Sequence, residues 1–195
     1  MRYRLITLIA SLCLICSINP TLANETDTQL TDTTLVQSLK TALSQPNAFE
    51  DEYVGQVWLA AMSTPLSRWI KDPNERIELL TLIHAEASRA NLEPGLILAL
   101  IQVESAFDCY AVSYAGARGI MQVMPFWKDE IGREEDSLLE CATNLRYGTT
   151  ILAHYLEIEK GSLIKALARY NGSRGQTWYP KRVLTYWHQY WRLGE

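Results

Sequence analysis

The stretch Pro94–Glu104, PGLILALIQVE, constrains the fold more than any other part of the 195-residue chain. Leu96 to Ile101 is unbroken apolar sequence, and Glu93-Pro94 marks its start as a helix, because proline suits a first turn where its missing N–H is no loss. A helix that is apolar nearly all round is packed on several sides. The chain must therefore supply other helices to enclose it. Glu104 ends this run on the same stripe as Ile97 and Leu100. Either its head reaches water from the final turn, or it sits in apolar surroundings that disfavour its charge and keep a proton available near neutrality. Helix position does not decide between the two.

The enclosing helices are legible from period and punctuation. Leu35, Val36, Leu39, Ala42 and Leu43 recur at helical spacing up to Pro46, and Tyr53, Val54, Val57, Trp58 and Ala61 mark a second helix. Asp72-Pro73-Asn74-Glu75 is a capping sequence for a helix running to about Ala90, with Ile77, Leu80, Ile83 and Ala87 inward. Cys109 to Gly119 is too rich in small residues for a long helix. A short helical piece is expected around Ile120–Val123, stopped by Pro125. A long helix follows from about Cys141 to Lys160, with Ala142, Leu145, Leu152 and Leu156 inward and Gly161 as terminator. A shorter one covers Leu163–Arg169, and a last one carries Val183, Leu184, Trp187 and Trp191. No convincing strand alternation and no repeat occurs, so the expected fold is mainly α.

Residues 1–23 have Arg2 and Arg4, a largely apolar stretch over 5–18, then Pro20 and small residues, the layout of a cleaved secretory signal. The apolar stretch is shorter than a membrane span, and Cys13 and Cys16 lack the small preceding residue of a lipidation site. Residues 24–32 read as a disordered leader, 33–92 as an N-terminal helical extension and 93–195 as the main domain. Removing Arg2 and Arg4 from 18 basic residues leaves 16 against 22 acidic ones, a net of −6. Such a chain is a poor partner for nucleic acid or an anionic membrane surface. Cys109 and Cys141 remain after the signal, and an oxidising compartment implies that they form a disulfide.

Four ordered blocks bear on Glu104. ESAFDCYAVSYAGARGIMQVMP is followed by NLRYG at Asn144–Gly148, ALARYNGS at Ala166–Ser173 and WYPKRV at Trp178–Val183. Together they resemble the SLT-domain lytic transglycosylases, bacterial enzymes with a lysozyme-like helical fold related to goose-type lysozyme. The resemblance covers about the last 110 residues. It implies that Glu104 is the single catalytic acid and base, that Ser113 lies near it, and that Gln122 and Met124 line the groove. It also matches Tyr170 to a tyrosine at the carboxylate, with Asn171 beside it, and Tyr179 to the block that closes the domain. Ile120 and Ser173 depart from the commoner leucine and glycine.

The implied substrate is the peptidoglycan glycan strand in the periplasm, cut between N-acetylmuramic acid and N-acetylglucosamine with a 1,6-anhydro end formed. A hydrolytic muramidase of the same fold and a non-catalytic peptidoglycan-binding module are the alternatives. Residues 33–92 offer a possible surface for an envelope-complex partner. From the residues alone, Met124 fits core packing as well as a groove, and Asp108 fits a turn better than a second acid. Trp178 and Tyr179 are the aromatic groove candidates, whereas the later aromatics fit core. His84, His154 and His188 are isolated, no metal-ligand spacing occurs, and no cofactor is expected.

Overall fold

In a computed structural model, residues 52–193 are described. The expectations for residues 1–51, namely the signal, the leader and the helix around Leu35–Leu43, lie outside them. Helix α1 is Glu52–Leu66, α2 Pro73–Arg89, α3 Pro94–Glu104, α4 Trp127–Ile131, α5 Cys141–Ile158, α6 Leu163–Tyr170 and α7 Trp178–Tyr186, continued by a π-helical turn at Trp187–Trp191. Among the described residues there are no strands, only isolated antiparallel bridges that join Arg118 to Val112 and to Val123. The mainly α expectation holds.

Helix α3 is the hub. Gly95 through Ile101 are all buried, and α2, α7 and the π-helical turn pack around them. Its start is fixed by Glu93, whose carboxylate accepts the Leu96 N–H at 2.6 Å. Gly95 lets the π-helical turn approach closely, since a Cβ there would lie 1.9 Å from the Trp191 carbonyl oxygen. Trp191 is fully buried and donates its indole N–H to Gln102 at 2.7 Å, which ties the π-helical turn back onto α3. Helix α2 is capped by Asp72, which accepts from the N–H groups of Asn74 and Glu75. It is joined to α5 by Glu86, which takes a two-point ion pair from Arg146 and a second from Arg89. Burial opposes the Glu86 charge, but the two guanidiniums more than compensate and hold its carboxyl below the usual range.

Two local expectations fail. Ile120–Val123 is a turn and not a helix, because the Arg118–Val123 bridge closes it and Gln122 takes a left-handed φ of 50°. A short helix, α4, forms after Pro125, where none was expected. Cys109 and Cys141 are bonded, with Cα atoms 5.3 Å apart, so the segment after α3 is tied to the first residue of α5. No helix of the described residues is long and apolar enough to cross a membrane.

Candidate active site

Glu104 is the last residue of α3. The chain then turns sharply: Ser105 leaves the helix, and Ala106 and Phe107 both take positive φ, 51° and 69°. Non-glycine residues there are strained by about 1 kcal/mol each. Burial of Phe107 against Trp69 and Trp191, with ring centroids 5.1 and 5.5 Å away, holds the turn in place. Ser105 adds a hydrogen bond from its hydroxyl to the Ile120 carbonyl at 2.7 Å. The helix end that carries the carboxylate is thus fastened to the 118–123 turn through Ser105.

That turn is built by distant side chains. Asn144 on α5 accepts the Met121 N–H at 2.8 Å and donates to the carbonyls of Arg118 and Leu138 at 2.8 Å each. Tyr170, at the end of α6, donates its hydroxyl to the Met121 carbonyl at 2.8 Å. Gly119 has φ 74°, and a Cβ on it would lie 2.4 Å from the Asn144 amide nitrogen, so only glycine fits beside this clamp. Gln122 spends its amide N–H groups on the carbonyls of Ala111 and Gly119, at 3.2 and 3.0 Å. Its Oε1 is the atom left for a ligand among these bonds.

The partner of Glu104 is Tyr179. Buried on the first turn of α7, it donates its hydroxyl to Glu104 Oε1 in a short hydrogen bond. Burial of Glu104 raises its pKa from the ordinary 4.5 to about 7, although the Tyr179 hydrogen bond and the Arg182 charge pull the other way. The carboxyl is therefore close to half-protonated at neutral pH. Burial and the Glu104 charge push the Tyr170 and Tyr179 hydroxyls well above the usual tyrosine range, so both stay protonated donors.

The sequence-identified residues fall into three groups. Tyr179 contacts Glu104 directly. Tyr170 stands close enough to feel its charge, but bonds the Met121 backbone and not the carboxylate. Ser113, Gln122, Met124 and Asn171 make no hydrogen bond to Glu104. Ser113 Oγ accepts the Ala117 N–H at 3.0 Å and shapes its own loop; Met124 is half-buried, and Asn171 is the exposed C-cap of α6. Asp108 also serves a turn, accepting the Tyr110 N–H at 2.8 Å. Trp178 is 54% exposed next to Tyr179. Sequence reasoning missed Ser105, Asn144 and Arg182. Only the NLRYG block pointed to Asn144, and nothing local signals that it will hold a turn more than twenty residues earlier. Among the described residues no group of three or more His, Cys, Asp or Glu is placed to hold a metal. One half-protonated carboxyl with a tyrosine donor can give and take back a single proton.

The model of the transglycosylase SLT domain family matches residues 81–185. Membrane-bound lytic murein transglycosylase C of Actinobacillus pleuropneumoniae serotype 5b (strain L20) is 54% identical over 48 residues, which are 25% of this chain and 13% of that protein. Its counterpart in Haemophilus ducreyi is 40% identical over 83 residues, 38% of this chain and 23% of that protein. The chain thus spans less than a quarter of the length of these curated relatives. Among solved structures, an inactive mutant of lytic transglycosylase Slt from Pseudomonas aeruginosa superposes with a TM-score of 0.50 at 20% identity, covering 80% of this chain and 36% of that one. That is a likeness of fold.

Proposed function

The chain belongs to the transglycosylase SLT domain family, and on that footing we propose that it is an exported lytic murein transglycosylase with Glu104 as its only catalytic acid and base. The observation that carries this reading is the Glu104 carboxyl on a buried helix end, bonded by Tyr179 and poised with a pKa of about 7. A group so poised is protonated often enough to act as an acid and ionised often enough to act as a base.

In the proposed reaction, Glu104 donates its proton to the glycosidic oxygen of the β-1,4 bond between N-acetylmuramic acid and N-acetylglucosamine. The C1–O bond breaks and the N-acetylglucosamine side leaves as an alcohol. The 2-acetamido group of the muramoyl sugar shields the cationic C1, a role that a second carboxylate fills in most glycosidases. Ionised Glu104 then takes the proton of the same sugar's 6-hydroxyl, whose oxygen bonds C1 to give the 1,6-anhydro end. The proton returns to Glu104 and no water is consumed. Tyr179 holds the carboxylate in line through both steps. The 118–123 turn with Gln122, together with Ser113, Met124, Asn171 and the exposed Trp178, forms the groove for the glycan.

In this reading residues 1–23 direct export to the periplasm, 93–195 form the catalytic unit, and 33–92 cover it and offer a surface to an envelope partner. The test is mass spectrometry of purified sacculi digested with the wild type and with Glu104→Gln. The wild type should release muropeptides with anhydromuramoyl ends, one water lighter than hydrolytic products. Glu104→Gln should lose roughly 10²–10⁴-fold in rate. Solely reducing ends would identify a muramidase, and near-native cleavage by the variant would remove Glu104 from the mechanism.

A further inference from the structure

Helix α2 carries two apolar stripes. Ile77, Leu80, Ile83 and Ala87 are in the core, whereas Leu79 and Leu82, three residues apart, lie on a second stripe and are only partly buried. With Phe107, Tyr110 and the Cys109–Cys141 disulfide, these two leucines wall a cleft of about 420 Å³, within the size range of ligand-binding clefts. Its charged lining residues are Glu75, Glu78 and Asp108, and among the described residues no lysine, arginine or histidine lines it. None of the three takes part in an ion pair among the described residues. Tyr110 is itself 76% exposed, and in sequence it is followed by the exposed Val112 and Tyr114, which alternate with the half-buried Ala111 and Ser113.

We infer that this cleft docks a partner-protein segment that presents an apolar side chain between basic residues. The leucines, Phe107 and Tyr110 take the apolar anchor, and the three carboxylates take the flanking cations. A rim of one sign also rejects acidic segments and anionic lipid, which sets specificity. The cleft shares no residue with the Glu104 site. It still touches that site mechanically, since Phe107 packs on Trp69 and Trp191 and follows Glu104 by three residues.

The test is a titration of the nitrogen-15-labelled exported chain with two synthetic peptides, acetyl-Lys-Leu-Phe-Lys-amide and acetyl-Glu-Leu-Phe-Glu-amide, followed by amide chemical shifts. The lysine peptide should give saturable shifts centred on Leu79, Leu82, Phe107 and Tyr110, and the glutamate peptide should bind at least roughly tenfold more weakly. Glu78→Lys alters one exposed charge outside the catalytic machinery, so folding and basal cleavage should be kept. It should weaken the lysine peptide by roughly five- to tenfold, less at high salt. Equal responses to both peptides, shifts that do not saturate, or shifts centred elsewhere would overturn the assignment. So would nuclear Overhauser contacts from Leu79 or Leu82 to residues 33–46 or to a second copy, because either would name a different occupant. Loss of cleavage in the Glu104→Gln variant bears on the catalytic reading alone and leaves this result untouched.

Discussion

Replacing Glu104 by glutamine should make the protein more stable, and only above the pH at which the carboxyl would ionise. In the unfolded chain Glu104 ionises near its ordinary 4.5, whereas in the folded chain it does so at about 7. Below about pH 4 both states hold the proton and the residue's ionisation adds nothing. As the pH rises, the unfolded chain releases its proton first, so the wild type loses stability until the folded carboxyl ionises as well. The gap between 4.5 and about 7, at about 1.4 kcal/mol per pH unit, corresponds to roughly 3 kcal/mol lost by pH 8. Glutamine keeps an oxygen for the Tyr179 hydroxyl and never ionises, so Glu104→Gln escapes the loss. The assay is urea denaturation of both proteins at pH 4, 6 and 8 with the disulfide intact. The variant's advantage should grow by roughly 3 kcal/mol across this range, or roughly 6–12 °C in melting temperature for a domain of this size. A stability difference that does not change with pH would refute the buried, protonated carboxyl.

Tyr179→Phe removes a hydrogen bond that favours the ionised carboxyl, so the Glu104 pKa should rise and, on the proposed mechanism, the alkaline limb of the cleavage profile should move to higher pH; an unchanged limb would separate Tyr179 from the proposed acid. Thiol titration of the denatured, unreduced chain lacking residues 1–23 should find no free thiol. Replacing Cys109 and Cys141 by serine together should destabilise the fold by roughly 4 kcal/mol, from the 32-residue separation that the bond closes, measured by urea denaturation. Gly95→Ala should cost at least about 2 kcal/mol, because its methyl meets the Trp191 carbonyl, and thermal melting would read the loss directly.

Helices that bury one face were open to reading, since burial imposes a period: Ile77, Leu80, Ile83 and Ala87 repeat along α2 and are all in the core. The 118–123 turn was not. Its shape depends on Asn144 and Tyr170, which lie far along the chain, and on a left-handed Gln122 that local propensity disfavours. The choice between two tyrosines was hidden for the same reason. Tyr170 and Tyr179 both end up beside the carboxylate, and only the packing of α7 on α3 aims the second hydroxyl at Glu104. The second stripe of α2 was present in the sequence as Leu79 and Leu82, but one period conceals another when both are apolar.

Helix α3 has a glutamate at each end, and the direction of its peptide dipoles gives them opposite work. At the positive end Glu93 meets the Leu96 N–H, a bond that negative charge strengthens. At the negative end Glu104 is the last residue of the same eleven-residue helix, where added negative charge is repelled. The helix is an oriented electrical element, so its length matters as well as its burial. A turn added beyond Glu104 would move the carboxylate off the negative pole and leave burial, the first cause of its raised pKa, to hold the proton.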